Sequence, residues 1–103
     1  CDHCRATAKT LTEMKKANED FPAIQIIFMD EAPEEIPDFF KFAGAEYPNY
    51  VMDIVTFWSK LGNSRDVPGV FYLWNGSTQK IYHGIEDQKF NAAAFKKILA
   101  KDK

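Results

Sequence analysis

Apolar residues recur along the first part of the chain at the spacing of an α-helix. Ala8, Leu11 and Met14 lie three residues apart within a stretch, 4–19, that contains no proline. This spacing puts them on one helical face and predicts a helix over 4–19. The helix is expected to end before Pro22, because the residue preceding a proline avoids helical geometry.

Three later segments also have helical spacing. Residues 34–43 are predicted to form a helix with Pro37 in its first turn, where a proline is tolerated. Residues 55–61 are expected to form one or two helical turns. A closing helix is predicted near the end of the chain, with Asn91 or Asp87 as its cap. Its apolar face consists of Phe90, Ala94, Phe95, Ile98 and Leu99.

Strand signals lie between these helices. Residues 23–30 are almost continuously β-branched and aromatic, which is typical of a strand buried on both faces of a parallel sheet. Residues 67–74 form a second apolar strand signal, and the Asn-Gly pair at 75–76 predicts a tight hairpin into a third strand over 80–83. Residues 50–53 fit either a short strand or an extended loop. This alternation of helices and strands predicts the α/β class.

Length and composition favour one globular domain over 1–103. The chain has 103 residues, of which 46% are hydrophobic and 15% aromatic, enough for one core. Trp58 and Trp74 are predicted to lie in that core. The net charge of -2 comes from 13 basic and 15 acidic residues mixed along the chain, so no nucleic-acid partner is expected. The apolar runs are strand-sized, shorter than a membrane span.

The two cysteines stand close together, as Cys1-Asp2-His3-Cys4. A disulfide that closes so short a loop removes little entropy from the unfolded chain, so it is a poor structural staple. A four-ligand zinc site would need a second ligand pair, which the sequence lacks. Redox chemistry is therefore the favoured use of this pair.

Three features, in this order, resemble the thioredoxin superfamily across essentially the whole chain. A C-x-x-C motif opens the first helix, the pair Val67-Pro68 starts an apolar strand, and the hairpin at 75–76 leads to a strand, Gly84 and a terminal helix. The resemblance implies a thioredoxin-like fold with helices on both faces of a mixed sheet. It also implies that Val67-Pro68 is the cis-proline loop of that fold.

Other features resemble particular branches of the superfamily. The stretch between Asp30 and Pro68 is longer than in thioredoxin. It is similar to TlpA-like and peroxiredoxin-like members, which have an inserted helix and strand there. His3 and Val67 resemble the residues at these positions in periplasmic disulfide-forming oxidases. The family's central strand, which precedes the C-x-x-C motif, has no counterpart in this sequence, so we expect an N-terminally truncated domain.

The resemblance makes the cysteine pair a dithiol–disulfide centre. A helix N-terminus has unpaired N–H groups and a partial positive charge, which stabilise a thiolate. Cys1, at that end, is the expected nucleophile, and Cys4, one turn further, is the expected resolving cysteine. His3 is expected to stabilise the Cys1 thiolate and make the disulfide more oxidising, whereas the negative charge of Asp2 acts in the opposite direction.

The same resemblance assigns substrate binding to Val67 and Pro68, with the Val67 backbone open to pair with an extended substrate. It implies disulfide exchange with protein cysteines and a second partner that regenerates the site. No cofactor or metal is expected beyond the Cys1–Cys4 disulfide. The bacterial periplasm or envelope is favoured over the cytoplasm, with membrane attachment only through a missing upstream anchor.

Two other functions are alternatives to redox exchange. A redox-inert thioredoxin-like binding module would show no exchange activity and would have an ordinary thiol at Cys1. A metal carrier would use Cys1, Cys4 and a histidine, although the copper-delivery relatives of the fold have a longer cysteine spacing. A metal titration without stoichiometric binding would exclude the carrier.

Overall fold

Helices and strands alternate along the chain in the computed structural model, which describes residues 1–101. The predicted α/β class is confirmed. The chain divides into two compact units, Cys1–Ser64 and Arg65–Lys103. Short 3-10 turns occupy Pro33–Glu35 and Glu86–Gln88. The helices are α1 (Asp2–Ala17), α2 (Ile36–Ala43), α3 (Ile54–Leu61) and α4 (Ala92–Lys101). The strands are β1 (Ile26–Met29), β2 (Asn49–Met52), β3 (Val70–Trp74) and β4 (Ser77–Tyr82).

Helix α1 opens the first unit and begins earlier than predicted. Its N-cap is Cys1, whose sulfur accepts the Cys4 N–H. At the other end, Asn18 has an extended backbone, and its Oδ1 accepts the Asp20 N–H at 3.0 Å. Because the asparagine side chain offers the main chain a partner outside the helix, α1 ends before residue 19.

Helix α2 confirms the predicted place of Pro37 in its first turn, where the missing N–H is not needed. Gly44 ends the helix with a φ of 91°, a left-handed conformation that glycine adopts without steric cost. The Gly44 N–H donates to the Phe40 carbonyl at 2.9 Å. Proline near the start and glycine after the end therefore set the limits of α2.

Helix α3 confirms the helical turns predicted over 55–61. Its N-cap is Asp53, whose Oδ2 accepts the Thr56 N–H at 3.0 Å. This backbone hydrogen bond, together with a side-chain bond from Thr56, lowers the pKa of Asp53 below its ordinary value. Gly62 closes the C-terminal end.

Strands β1 and β2 form a two-stranded parallel sheet, so the segment predicted over 50–53 is a strand and not a loop, although it covers Asn49–Met52. Ile26 lies opposite Asn49, and Met29 lies opposite Met52. Parallel pairing needs a crossover between the strands, and α2 lies in that connection.

The interior of the first unit joins α1 to the segment that follows α2. Thr12 on α1 is only 2% exposed. Its hydroxyl donates to the Ala8 carbonyl at 2.9 Å, so it accepts the 2.7 Å hydrogen bond that it shares with the Tyr47 hydroxyl. Nearby, the Phe28 ring of β1 meets the Phe39 ring of α2 edge-on at 5.0 Å. A polar link and an aromatic cluster thus hold this unit together.

The second unit contains the predicted hairpin. Strands β3 and β4 are antiparallel and are joined by Asn75 and Gly76, with φ values of 52° and 80°. Both angles suit the tight turn that an Asn-Gly pair favours. The third strand therefore starts directly after the turn, at Ser77, and not at residue 80.

Helix α4 packs on this hairpin. Its cap is Asn91 and not Asp87, because the Asn91 Oδ1 accepts the Ala94 N–H at 2.9 Å. The Phe95 ring of α4 lies edge-on to the Tyr72 ring of β3, with centroids 5.2 Å apart. Aromatic contacts of this kind form the interior of the second unit.

The sheet arrangement differs from the expected one. Within residues 1–101 the strands form two separate two-stranded sheets, one parallel and one antiparallel, and not one mixed sheet. The physical reason is that this part of the chain contains no further strand to join the two ladders. A single domain over 1–103 and helices on both sheet faces stay predictions.

The prediction that both tryptophans lie in the core is wrong. Trp58 is 36% exposed and Trp74 is 48% exposed. Trp74 is the last residue of β3, beside the hairpin turn, where an apolar residue can extend a strand without entering a core. No helix in the described part of the chain is both long enough and apolar enough to cross a membrane.

Candidate redox site

The two cysteines are joined by a disulfide at the start of α1. Their Cα atoms are 5.3 Å apart, a normal distance for this bond, because one helical turn brings position i+3 back beside position i. Cys1 is exposed, whereas Cys4 is half-buried. Cys1 is therefore the cysteine that a partner molecule reaches more easily.

The Cys1 sulfur lies in the electrostatic field of a helix N-terminus. It accepts the Cys4 N–H at 3.2 Å, and the Cys1 carbonyl accepts the Arg5 N–H at 3.2 Å. The first N–H groups of a helix carry a partial positive charge. A thiolate formed at Cys1 on reduction is stabilised by these groups, which makes the cysteine a better nucleophile near neutral pH.

Asp2 and His3 lie on the same helical turn, and both are exposed. The Asp2 carboxylate suits the positive end of the helix, but it adds negative charge near a thiolate. Within residues 1–101, the His3 ring forms no hydrogen bond with either cysteine. The predicted role of these two residues in redox tuning stays a prediction.

The Val67-Pro68 peptide bond is cis, as the resemblance implies. Both residues are half-buried and belong to the second unit, in which β3 begins at Val70 and not at residue 67. The Val67 N–H donates to the Asp66 Oδ1 at 2.8 Å. The N–H expected to be open to a substrate is therefore bonded to the preceding side chain.

Gly84 holds the main chain of this loop. Its N–H donates to the Asp66 carbonyl at 2.7 Å. A Cβ added at Gly84 would overlap the Val67 carbonyl oxygen. Only glycine allows this close approach between two main-chain segments, which explains the residue at this position.

Two buried polar atoms at the end of β4 have no hydrogen-bond partner within the described residues, the Tyr82 hydroxyl and the His83 Nδ1. Tyr82 is 4% exposed, and burial raises its pKa. The His83 main-chain N–H is satisfied, since it donates to the Gln88 carbonyl at 2.9 Å. Residues 1–101 contain no group of three or more His, Cys, Asp or Glu side chains that could hold a metal ion.

The predicted site residues fall into two groups. Those of the motif, 1–4, share one helical turn in the first unit, and the pair 67–68 lies in the second unit. Sequence reasoning missed Asp66 and the contact that Gly84 makes. The available signal was an aspartate directly before the X-Pro pair, because its short side chain can bond a neighbouring main-chain N–H.

The chain is similar to Protein TlpB of Flavobacterium psychrophilum, with 54% identity over 101 residues. The alignment covers 98% of this chain and 28% of the relative, so the chain spans little more than a quarter of the relative's length. No protein-family model matches the chain, and no solved structure matches it. The similarity to Protein TlpB supports a thioredoxin-like relationship.

Proposed function

We propose that the chain is a thioredoxin-like domain that exchanges disulfides with protein thiols through Cys1 and Cys4. The observation that carries the proposal is the disulfide between an exposed N-cap cysteine and a half-buried cysteine one turn later. So short a loop contributes little stability, whereas its position at a helix N-terminus favours thiolate chemistry. The similarity to Protein TlpB supports the thioredoxin-like assignment.

In the reducing direction, the Cys1 thiolate attacks one sulfur of a substrate disulfide. A mixed disulfide between Cys1 and the substrate forms, and the other substrate sulfur leaves as a thiolate and takes up a proton. Cys4 then loses its proton and attacks the Cys1 sulfur. This step forms the Cys1–Cys4 disulfide and releases the second substrate sulfur, which is protonated in turn. The substrate thus gains two electrons and two protons, and oxidation of a substrate dithiol is the reverse sequence.

Four further residues have auxiliary roles in this proposal. His3 stabilises the Cys1 thiolate and Asp2 opposes it, so together they set the redox potential. Val67 and Pro68 bind an extended substrate segment through main-chain contacts. Asp2 and His3 are exposed, and Val67-Pro68 ends one residue before strand β3. Both observations are compatible with these roles.

The proposed partners are protein cysteines and a second redox protein that regenerates the pair. No cofactor other than the disulfide takes part. The proposed setting is outside the cytoplasm, in a bacterial periplasm or envelope, because disulfides form and persist in oxidising compartments.

Trapping of the mixed disulfide tests this proposal. In a Cys4→Ser variant, the intermediate on Cys1 cannot be resolved, so the reduced variant incubated with insulin is expected to accumulate a covalent adduct. The adduct is read on a non-reducing gel and disappears after reduction. Cys1→Ser is the matched control, since it keeps the half-buried thiol and removes the exposed one, and we expect at least roughly tenfold less adduct.

Adducts of equal yield in both variants would contradict the assignment of Cys1 as nucleophile. No adduct in either variant, together with no exchange by the unaltered chain, would contradict redox exchange altogether. That second result would favour the redox-inert binding module.

A further inference from the structure

The Val67-Pro68 pair can offer a substrate only one main-chain donor, the Val67 N–H, because proline has no N–H. This N–H donates to the Asp66 Oδ1 at 2.8 Å. Asp66 is exposed, so burial does not lock its carboxylate in place. The donor is therefore close to the surface but already bonded within the chain.

The main chain at this point is held independently of the Asp66 side chain. The Gly84 N–H donates to the Asp66 carbonyl at 2.7 Å, and the Val67 carbonyl lies so close to Gly84 that a Cβ there would overlap it. These contacts use main-chain atoms only. The Asp66 carboxylate can therefore move away, or be removed by mutation, while residues 66–67 keep their place.

We propose that Asp66 is a specificity-determining residue whose carboxylate caps the Val67 N–H and must be displaced by an extended peptide. This inference rests on the proposed function, in which Val67 pairs with substrate. An extended chain adds to a strand edge through main-chain hydrogen bonds, and residues 66–69 lie just beyond the last pair of the hairpin, Val70 with Tyr82.

The cap makes the domain discriminate between two classes of substrate. A peptide that pairs with Val67 gains one hydrogen bond and breaks the bond to Asp66, so its net gain is small. A small non-peptide disulfide does not pair with the main chain and loses nothing. Asp66 therefore lowers affinity for extended peptides without affecting small disulfides.

Peptide binding by three variants tests the cap. The probe is a neutral ten-residue peptide of threonine and valine with a central serine, titrated into the oxidised chain and followed by the Val67 amide resonance. Asp66→Ala is expected to bind it roughly three- to tenfold more tightly than the unaltered chain. Asp66→Asn keeps an oxygen acceptor and loses the charge, so its affinity is expected to be closer to that of the unaltered chain.

Asp87→Ala is the matched control, because it removes another exposed carboxylate of the second unit, one that accepts from the Gln88 side chain. Its affinity for the peptide is expected to be unchanged. In Asp66→Ala, the Val67 amide proton is also expected to move upfield and to exchange faster with solvent. These two signals report the hydrogen bond itself.

The proposal is overturned if Asp66→Ala binds the peptide no more tightly than the unaltered chain, or if no variant binds it. It is also overturned if Asp66→Asn binds as tightly as Asp66→Ala, because loss of the charge, and not loss of the hydrogen bond to Val67, would then explain the tighter binding. Exchange with bis(2-hydroxyethyl) disulfide tests the redox function separately. If that exchange is absent, the redox function fails while the titration still decides the role of Asp66.

Discussion

The redox turn (residues 1–5) and the proline loop (residues 66–68) are held by different kinds of contact. In the redox turn, the hydrogen bonds to Cys1 come from Cys4 and Arg5, which are its near neighbours in the chain. In the proline loop, the main chain is held by Gly84, which follows the whole hairpin. The redox turn is therefore held by local contacts, whereas the proline loop depends on the folded hairpin.

This difference explains which substitutions each part tolerates. A local turn at a helix start needs only a helix behind it, so changes elsewhere in the first unit lower stability without removing the disulfide. The proline loop needs a close approach between two main-chain segments, so a single methyl group at Gly84 disturbs it. The following substitutions test the comparison.

Gly84→Ala is expected to have the largest effect. The added Cβ overlaps the Val67 carbonyl, so the loop or the end of the hairpin must shift. We expect the free energy of unfolding to fall by about 1–3 kcal/mol, the usual range for overpacking a fixed site. Urea denaturation measures the loss, and the Val67 amide resonance shows whether the loop has moved.

Gly76→Asn is the control for Gly84→Ala. Gly76 also has no side chain, but an added Cβ meets nothing within 4 Å, and its left-handed backbone is one that asparagine adopts. The control is expected to cost less than about 1 kcal/mol. Equal losses in the two variants would show that the approach of Gly84 to the loop does not constrain it.

Thr12→Val is expected to have the next largest effect. It removes the partner of the Tyr47 hydroxyl in the interior of the first unit and keeps the β-branched shape. A loss of about 1–2 kcal/mol in the free energy of unfolding is expected, because a part-buried hydroxyl is left unpaired. The Cys1–Cys4 disulfide should still form, since its contacts are local.

Thr10→Val is the matched control for Thr12→Val. The Thr10 hydroxyl donates to the Ala6 carbonyl at 3.1 Å, as Thr12 does to Ala8, but no tyrosine bonds to it. The control is expected to change stability by less than about 0.5 kcal/mol. A Thr12→Val variant that loses its disulfide would show that the redox turn is not local.

His3→Ala tests the electrostatics of the redox turn. Because His3 is proposed to stabilise the Cys1 thiolate, its removal should make the pair about 10–20 mV more reducing. Asp2→Ala should shift the potential in the opposite direction, since it removes a like charge. Shifts of the same sign in both variants would contradict the proposal that His3 and Asp2 act on the Cys1 thiolate in opposite directions.

Tyr82→Phe is expected to have the smallest effect. The variant removes a buried hydroxyl that has no partner within the described residues, so it should be neutral or up to about 1 kcal/mol more stable. Burial raises the pKa of Tyr82, so the folded state favours the neutral phenol. The part of the free energy of unfolding that depends on the neutral phenol is fully present below about pH 10 and is lost as pH rises through the folded-state pKa.

Alkaline unfolding checks the sign for Tyr82. The advantage of Tyr82→Phe over the unaltered chain should increase above about pH 10, because the phenol of the unfolded unaltered chain ionises there while the buried phenol stays neutral, which favours unfolding. A variant that is less stable at every pH would indicate that the hydroxyl has a favourable partner.

The sequence was a good guide where structure depends on near neighbours. Pro37 in a first turn and the Asn-Gly hairpin were predicted correctly, because each follows from backbone preferences of a few residues. The α/β class was predicted correctly from the alternation of helix and strand signals along the chain. The cysteine pair at a helix start also follows from four residues. These features do not require knowledge of how distant segments meet.

The features that were missed depend mainly on contacts between distant segments, which a single sequence does not show. The approach of Gly84 to the Val67 carbonyl joins segments on either side of the hairpin and arises only after the hairpin has folded. The bond from Val67 to Asp66 is local, and the aspartate before the X-Pro pair was its signal in the sequence. The exposure of Trp74 at the end of a strand was also not predictable, because the hydrophobic pattern does not show where a sheet ends. The division into two small sheets, by contrast, agrees with the strand signals, which offer no central strand to join the two ladders.

Equilibration of the Cys1–Cys4 pair against glutathione buffers, followed by thiol trapping, shows whether the pair exchanges disulfides. We expect one reversible two-electron transition, with a potential between about -120 and -270 mV, the range of thioredoxin-like oxidants and reductants. A disulfide that stays oxidised below about -300 mV would be structural. That result, or a pair that never forms the disulfide, would contradict thiol–disulfide exchange as the function of this domain.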